Sequence, residues 1–214
     1  YWIGDRVQER VPVVDGLGRL PNLARLKHFG AAASSSGGVE MYHLVGITPE
    51  APSLAVAFGG AERVRAAETL HFGLAEHRAT WEQINATGRD AKVDYVMLGC
   101  PHYTLEQIWE AARLLEGRRV HADCELWIFT PRAIKAIADQ NGTTKTLQDA
   151  GARVMTDSCS AMSRGVPKGT RVAAFDSAKQ AHYLPAILGV QAWYGDVAEC
   201  IDAACSGRWQ GRFA

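Results

Sequence analysis

Apolar positions along the chain fall into two kinds of run. Short unbroken ones, "VDYVMLG" (93–99), "CELWIFT" (124–130), "RVMTD" (153–157) and "RVAAFD" (171–176), are rich in Val, Ile, Met and Phe and read as strands buried on both faces. Between them lie longer stretches whose apolar residues recur every three or four positions. "TLEQIWEAARLLEG" (104–117) brings Leu105, Ile108, Trp109, Ala112 and Leu115 to one side, the mark of an amphipathic helix. "PRAIKAIADQNG" starts a second helix with Pro131 at a first helical position, and "SAKQAHYLPAILG" and "VAECIDAACSG" read as two more. Strand and helix in alternation predict an α/β fold, a parallel β-sheet with helices on both faces.

The first eighty residues are patterned less regularly. After a loop rich in Pro, Gly and Asp, "NLARLKHFGAAA" (22–33) has helical spacing at Leu23, Leu26 and Phe29, and the small residues of "SSSGG" (34–38) are expected to end that helix. "VEMYHLVGI" (39–47) reads as a strand, Thr48-Pro49-Glu50 as a turn or helix start, and "APSLAVAFGG" (51–60) as mixed loop and apolar segment. "AERVRAAETLHFGLAEHRATWEQIN" (61–85) predicts one or two amphipathic helices. The opening on Tyr1 and Trp2, without an initiator Met, suggests a fragment of a longer chain whose missing part holds half of a site.

Composition narrows the function. With 214 residues, 47% of them hydrophobic, the chain can bury a substantial core. Lys plus Arg and Asp plus Glu both number 23, so nothing in the charge balance points to nucleic acid, and a small polar substrate fits better. No apolar run approaches the roughly 20 residues of a membrane span, so the expectation is a soluble, cytoplasmic protein with no membrane partner. Five cysteines, an odd number in a chain too large to need disulfide staples, suggest reduced thiols or metal ligands.

In a parallel sheet the ligand sits beyond the carboxyl ends of the strands, which places "GCPH", "TDSCS" and "FDSAKQAHY" on one rim. Cys100 and Cys159 thus reach the rim from different segments, either as ligands of a soft metal or as small buried hydrophobes. A third ligand could be Cys200, with Cys124 and Cys205 as rivals. Cys200 and Cys205, at i and i+5, point to different helix faces, so at most one faces a common site. No CxxC, HExxH or GxSxG pattern occurs. His43 and His102 are placed for a general base or a carboxylate anchor, or for structural hydrogen bonding. Ser177, Lys179, His182 and Tyr183 gather at a helix start that favours a bound anion, although Ser177 serves equally as an N-cap. "SSSGGVE" (34–40), with Ser36 and Gly37, is a small-residue loop that could wrap an anion through backbone N–H groups.

Four segments, "LKHFGAAASSSGGVEMYHLVGITPEAP" (26–52), "VMLGCPHYTLEQI" (96–108), "VMTDSCSAM" (154–162) and "DSAKQAHYLP" (176–185), together resemble the aconitase X family, in the same order. The resemblance runs from about Pro21 to "CSGRW" and covers residues 1–214 as the C-terminal half of that family's catalytic part. It implies an aconitase-like fold, a hydro-lyase activity and iron held by cysteines, as a 2Fe-2S cluster or a single iron. Cys100 and Cys159 fall where the family places iron ligands, with Cys200 as the third. His43, His102 and Lys179 would take catalytic roles, and Ser36, Gly37, Ser177 and His182 would line the substrate pocket. Known branches dehydrate cis-3-hydroxy-L-proline or mevalonate 5-phosphate. Few Arg or Lys residues near the motifs favour the former. The resemblance also implies two partners, the N-terminal half of the catalytic domain and a small swivelling domain or subunit. The rival reading is a non-catalytic α/β assembly module whose cysteines are packing.

Overall fold

A computed structural model describes residues 1–213 and divides them into two compact units, Tyr1–Thr80 and Trp81 onward. In the first unit α1 (Trp2–Val7) packs on α2 (Leu23–Gly37), and two short strands, β1 (Val13–Val14) and β2 (His43–Leu44), pair in parallel; α3 (Leu54–Phe58), α4 (Ala61–Ala66) and the start of α5 (Leu74–Ile84) follow. The strand expected over 39–47 shrinks to two residues because the chain turns back. Thr48 Oγ1 accepts from Leu44 N (3.1 Å) and bonds Leu44 O (3.2 Å), and Gly46 takes a positive φ of 73°.

A second expectation is overturned in α2. "SSSGG" neither ends the helix at Ala33 nor forms an anion loop, since helix continues through Ser34, Ser35, Ser36 and Gly37 to a left-handed C-cap at Gly38. Ser35 Oγ bonds back to Ala31 O (2.6 Å), and Ser36 Oγ reaches Tyr1 O (2.7 Å) and Ala32 O (3.1 Å), so the backbone N–H groups stay in the helical ladder. The small residues serve close packing instead. A Cβ on Gly37 would stand 1.8 Å from Gly4 O.

The second unit is the predicted α/β sandwich. Its strands are β3 (Tyr95–Leu98), β4 (Glu125–Thr130), β5 (Ala152–Thr156), β6 (Val172–Phe175) and β7 (Gln191–Tyr194), all parallel in the order β5-β4-β3-β6-β7. The connecting helices are α6 (Leu105–Leu114), α7 (Arg132–Gln140), α8 (Thr143–Asp149), α9 (Ser160–Ser163), α10 (Ala178–Leu188) and α11 (Val197–Ser206). Even-numbered residues of β3, Val96 and Leu98, join Ile108 and Leu115 near α6, Leu147 of α8 and Ile201 of α11 in one apolar core. Tyr95 points the other way, where its hydroxyl meets Ser160 Oγ (2.8 Å) at the start of α9, while α10 lies along β6 and β7. Pro131 turns out to be the N-cap of α7 rather than its first residue. No helix among the described residues is long and apolar enough to cross a membrane.

Candidate functional site

The strand order reverses between β3 and β6: the chain leaves β3 for β4 on one side and β6 for β7 on the other. A parallel sheet of this order opens its crevice beyond the carboxyl ends of that pair. Cys100 stands there, one residue after Gly99. Gly99 has φ +94°, and a Cβ on it would lie 2.2 Å from Phe129 O, so no larger residue can make this turn unmoved. The peptide that follows, Cys100–Pro101, is cis.

Asp176, just past β6, closes the seam from the other strand. Its carboxylate accepts from Gly99 N (3.3 Å) and from the phenol of Tyr103. Burial, and then the charge of Asp176, push that phenol well above its usual range, so Tyr103 remains a donor. Tyr103 is held in turn by Phe129 O, which accepts from its backbone N–H (2.9 Å), and by Thr130, whose hydroxyl donates to Tyr103 O (2.9 Å).

The other thiol arrives from β5. After Thr156 the chain passes through Asp157 at φ +50°, pinned by Arg132, whose backbone N–H (3.1 Å) and guanidinium both bond its carboxylate. Cys159 then caps α9. The two sulfurs meet at Gln180, in the first turn of α10: its Nε2 is 3.0 Å from Cys100 Sγ and 3.2 Å from Cys159 Sγ. They also contact each other, and that contact sets their acid–base behaviour. A hydrogen bond from Cys100, aided by the nearby amides of Met162 and Ala161, lowers Cys159 to about 5. Cys100 moves up, because it keeps the proton it gives to Cys159 and because it is buried. The shared hydrogen bond thus moves the two thiols in opposite directions, Cys159 down and Cys100 up.

His102 Nε2 lies 2.7 Å from Ser158 O. A carbonyl only accepts, so Nε2 is the donor in this contact. Lys179, half-buried in the first turn of α10, makes no ion pair among the described residues. His182 is exposed, edge-on to Tyr183 (4.8 Å between ring centroids). Ser177 is buried. Its Oγ accepts from Gln180 N (3.3 Å) as the cap of α10, and its hydroxyl also favours the Cys100 sulfur, so it serves the helix and the thiol pair. In the first unit, His43 has a buried Nδ1 with no partner among the described residues, while Ser36 and Gly37 sit in the α1–α2 packing.

Cys200 does not join the pair. It is fully buried on α11 within the apolar core, where burial and the charge of Asp176 hold its thiol well above the usual range. Among the described residues no group of three or more His, Cys, Asp or Glu is arranged to hold a metal ion. Of the three cysteines expected as ligands, Cys100 and Cys159 converge, while Cys200 lies apart from them in the core. The reason is that α11 packs its inward face against α6 and β3, which takes Cys200 to the core beneath the sheet. Gln180 and Asp176 were not singled out from sequence. A usable signal was present for Gln180, a polar residue on the helix face that carries Ala181 and Leu184.

Residues 93–206 match the aconitase X third domain, and residues 1–82 the aconitase X second domain. The chain belongs to the aconitase X family. The second-domain match ends at residue 82, close to the division between the units at Thr80 and Trp81, and the third-domain match begins at residue 93. The chain is 40% identical over 211 residues to cis-3-hydroxy-L-proline dehydratase of Pseudomonas aeruginosa, covering 97% of this chain and 36% of that protein. It is 33% identical over 202 residues to the phosphomevalonate dehydratase large subunit of Methanocaldococcus jannaschii, covering 94% and 48%. The crystal structure of Thermococcus kodakaraensis aconitase X in its holo form superposes with a TM-score of 0.75 at 27% identity, over 95% of this chain and 49% of that one. An aconitase X fold is thus established, in a chain that spans about a third to a half of the length of the curated relatives it matches.

Proposed function

We propose that this chain is the part of an iron-dependent hydro-lyase of the aconitase X type that supplies two cysteine ligands, and that the substrate is cis-3-hydroxy-L-proline. The observation that carries the reading is the convergence of Cys100 and Cys159 on Gln180 at the switch point of the sheet. Two sulfurs converging from separate strand ends form a donor set that suits iron. A 2Fe-2S cluster or a single iron needs more than two protein ligands, so we assign the remainder to the rest of the enzyme. That remainder comprises the N-terminal half of the catalytic domain and a small swivelling domain.

Dehydration removes a carbon-bound proton and a neighbouring hydroxyl. Iron, when bound, supplies Lewis acidity that draws charge from the departing hydroxyl. In this chain His102 donates from Nε2 to Ser158 O, which fixes its ring two residues after Cys100, and we assign it the proton transfer. Lys179 offers an ammonium to the substrate carboxylate at the start of α10. A phosphorylated substrate calls for a cluster of cations. The segments that build the site, 99–104, 156–168 and 176–183, contain only Arg164, Lys168 and Lys179. The higher identity to the hydroxyproline enzyme supports the same choice.

The test uses the complete enzyme, purified anaerobically. Iron by elemental analysis and a thiolate-to-iron absorption band are expected, and Cys100→Ser and Cys159→Ser should each remove both, together with turnover, at unchanged circular dichroism. Wild-type enzyme without iron or band would overturn the metal assignment. Turnover of mevalonate 5-phosphate in place of cis-3-hydroxy-L-proline would overturn the substrate.

A further inference from the structure

Gln180 lies on the inward face of α10, 1% exposed, with its side chain against both sulfurs. Its Nε2 makes both of those contacts, while its Oε1, also buried, has no partner among the described residues. A buried acceptor left this way is destabilising. Leu or Met would fill nearly the same volume without that penalty. The cost must be offset at the other end of the amide, and an N–H bond to a neutral thiol is weak. The same bond to a sulfur that carries charge is a charge-assisted one and about twice as strong as a neutral pair. An amide also differs from Glu or His at the same place, because its N–H end donates to sulfur and does not compete for a metal.

We infer that Gln180 is a positioning residue for the cysteine pair: its side-chain amide spans Cys100 and Cys159, gives one N–H to each sulfur, and so sets their spacing and draws electron density from them. This rests on the reading that the two cysteines hold iron. Once both sulfurs are metal-bound thiolates, the two N–H groups of Gln180 supply their outer hydrogen bonds, the role that orienting partners play around other metal ligands.

The experiment compares complete wild-type enzyme with Gln180→Leu, both loaded anaerobically with ferrous iron. We expect Gln180→Leu to keep its circular dichroism, to lose iron to a chelator about 10- to 100-fold faster, and to shift its thiolate-to-iron band to longer wavelength. The shift follows because sulfurs freed of N–H bonds give up electrons more readily, and a merely structural role for Gln180 would leave the band in place. If Gln180→Leu does not fold, Gln180→Met reads the same quantities; loss of fold in both would assign the residue to helix packing and overturn the inference. Iron in the wild type with unchanged release and band in the variant overturns the role of Gln180 alone. Absence of iron from the wild type overturns this inference and the proposed metal site together.

Discussion

Cys100 and Cys159 are the same residue type on the same rim, yet the fold gives them opposite acid–base behaviour. Cys159 receives a hydrogen bond and lies beside two amides of α9, and so is held down to about 5; Cys100 gives that hydrogen bond and is buried, and so is held up. A lowered acid is ionised above its folded value and neutral below it. In metal-free protein, iodoacetamide should therefore modify Cys159 before Cys100. Its rate should stay nearly flat from about pH 6 to about pH 8 and fall as pH drops through about 5. Peptide mapping by mass spectrometry reads both sites. Equal labelling, with rates rising only near the ordinary thiol value of about 8.5, would contradict the shared proton. The residue types and their rim position could be read from sequence, but the asymmetry could not, because it depends on a contact between segments 59 positions apart.

At the scale of elements, the helices with strong local signals form as read. α6 begins at a capping box in which Thr104 Oγ1 accepts from Gln107 N (3.4 Å) and Gln107 Oε1 accepts from Thr104 N (3.2 Å), and Ile108 and Ala111 face the core. Thr104→Ala should cost about 1 kcal/mol of stability, measured by urea denaturation, with the two thiols still paired. A variant as stable as wild type would show that the cap contributes nothing. Elements with weak local signals went otherwise. α2 runs four residues further than its small-residue end suggested, since Ser and Gly there answer to the close approach of α1. Strand β7 and helix α8 have patterns too short to stand out. β7 is settled by pairing with β6, and α8 by a break at Gly142 with φ +81°.

For the molecule as a whole, the sheet order decides where chemistry can occur. By placing β6 next to β3, it brings Asp176, Ser177 and Gln180 to the end of the strand that carries Cys100. Among the described residues only two sulfurs meet there, so the 214-residue chain alone should fail to retain stoichiometric iron through gel filtration, whereas the complete enzyme retains it. Elemental analysis of both samples checks this. One iron per isolated chain would mean that every ligand lies within residues 1–214.

The sequence by itself determined the alternation of strands and helices, the α/β class, the rim position of "GCPH", "TDSCS" and "FDSAKQAHY", and the family. These are local properties, written in hydrophobic period, caps and motifs. The tertiary structure alone decided which cysteines meet. Cys159 reaches Cys100, whereas Cys200, the candidate third ligand, is carried into the apolar core by α11. It also decided that a buried glutamine binds the pair and that the serine-rich stretch is helix. Each of those outcomes depends on strand order and helix packing, which bring together residues that no sequence period connects.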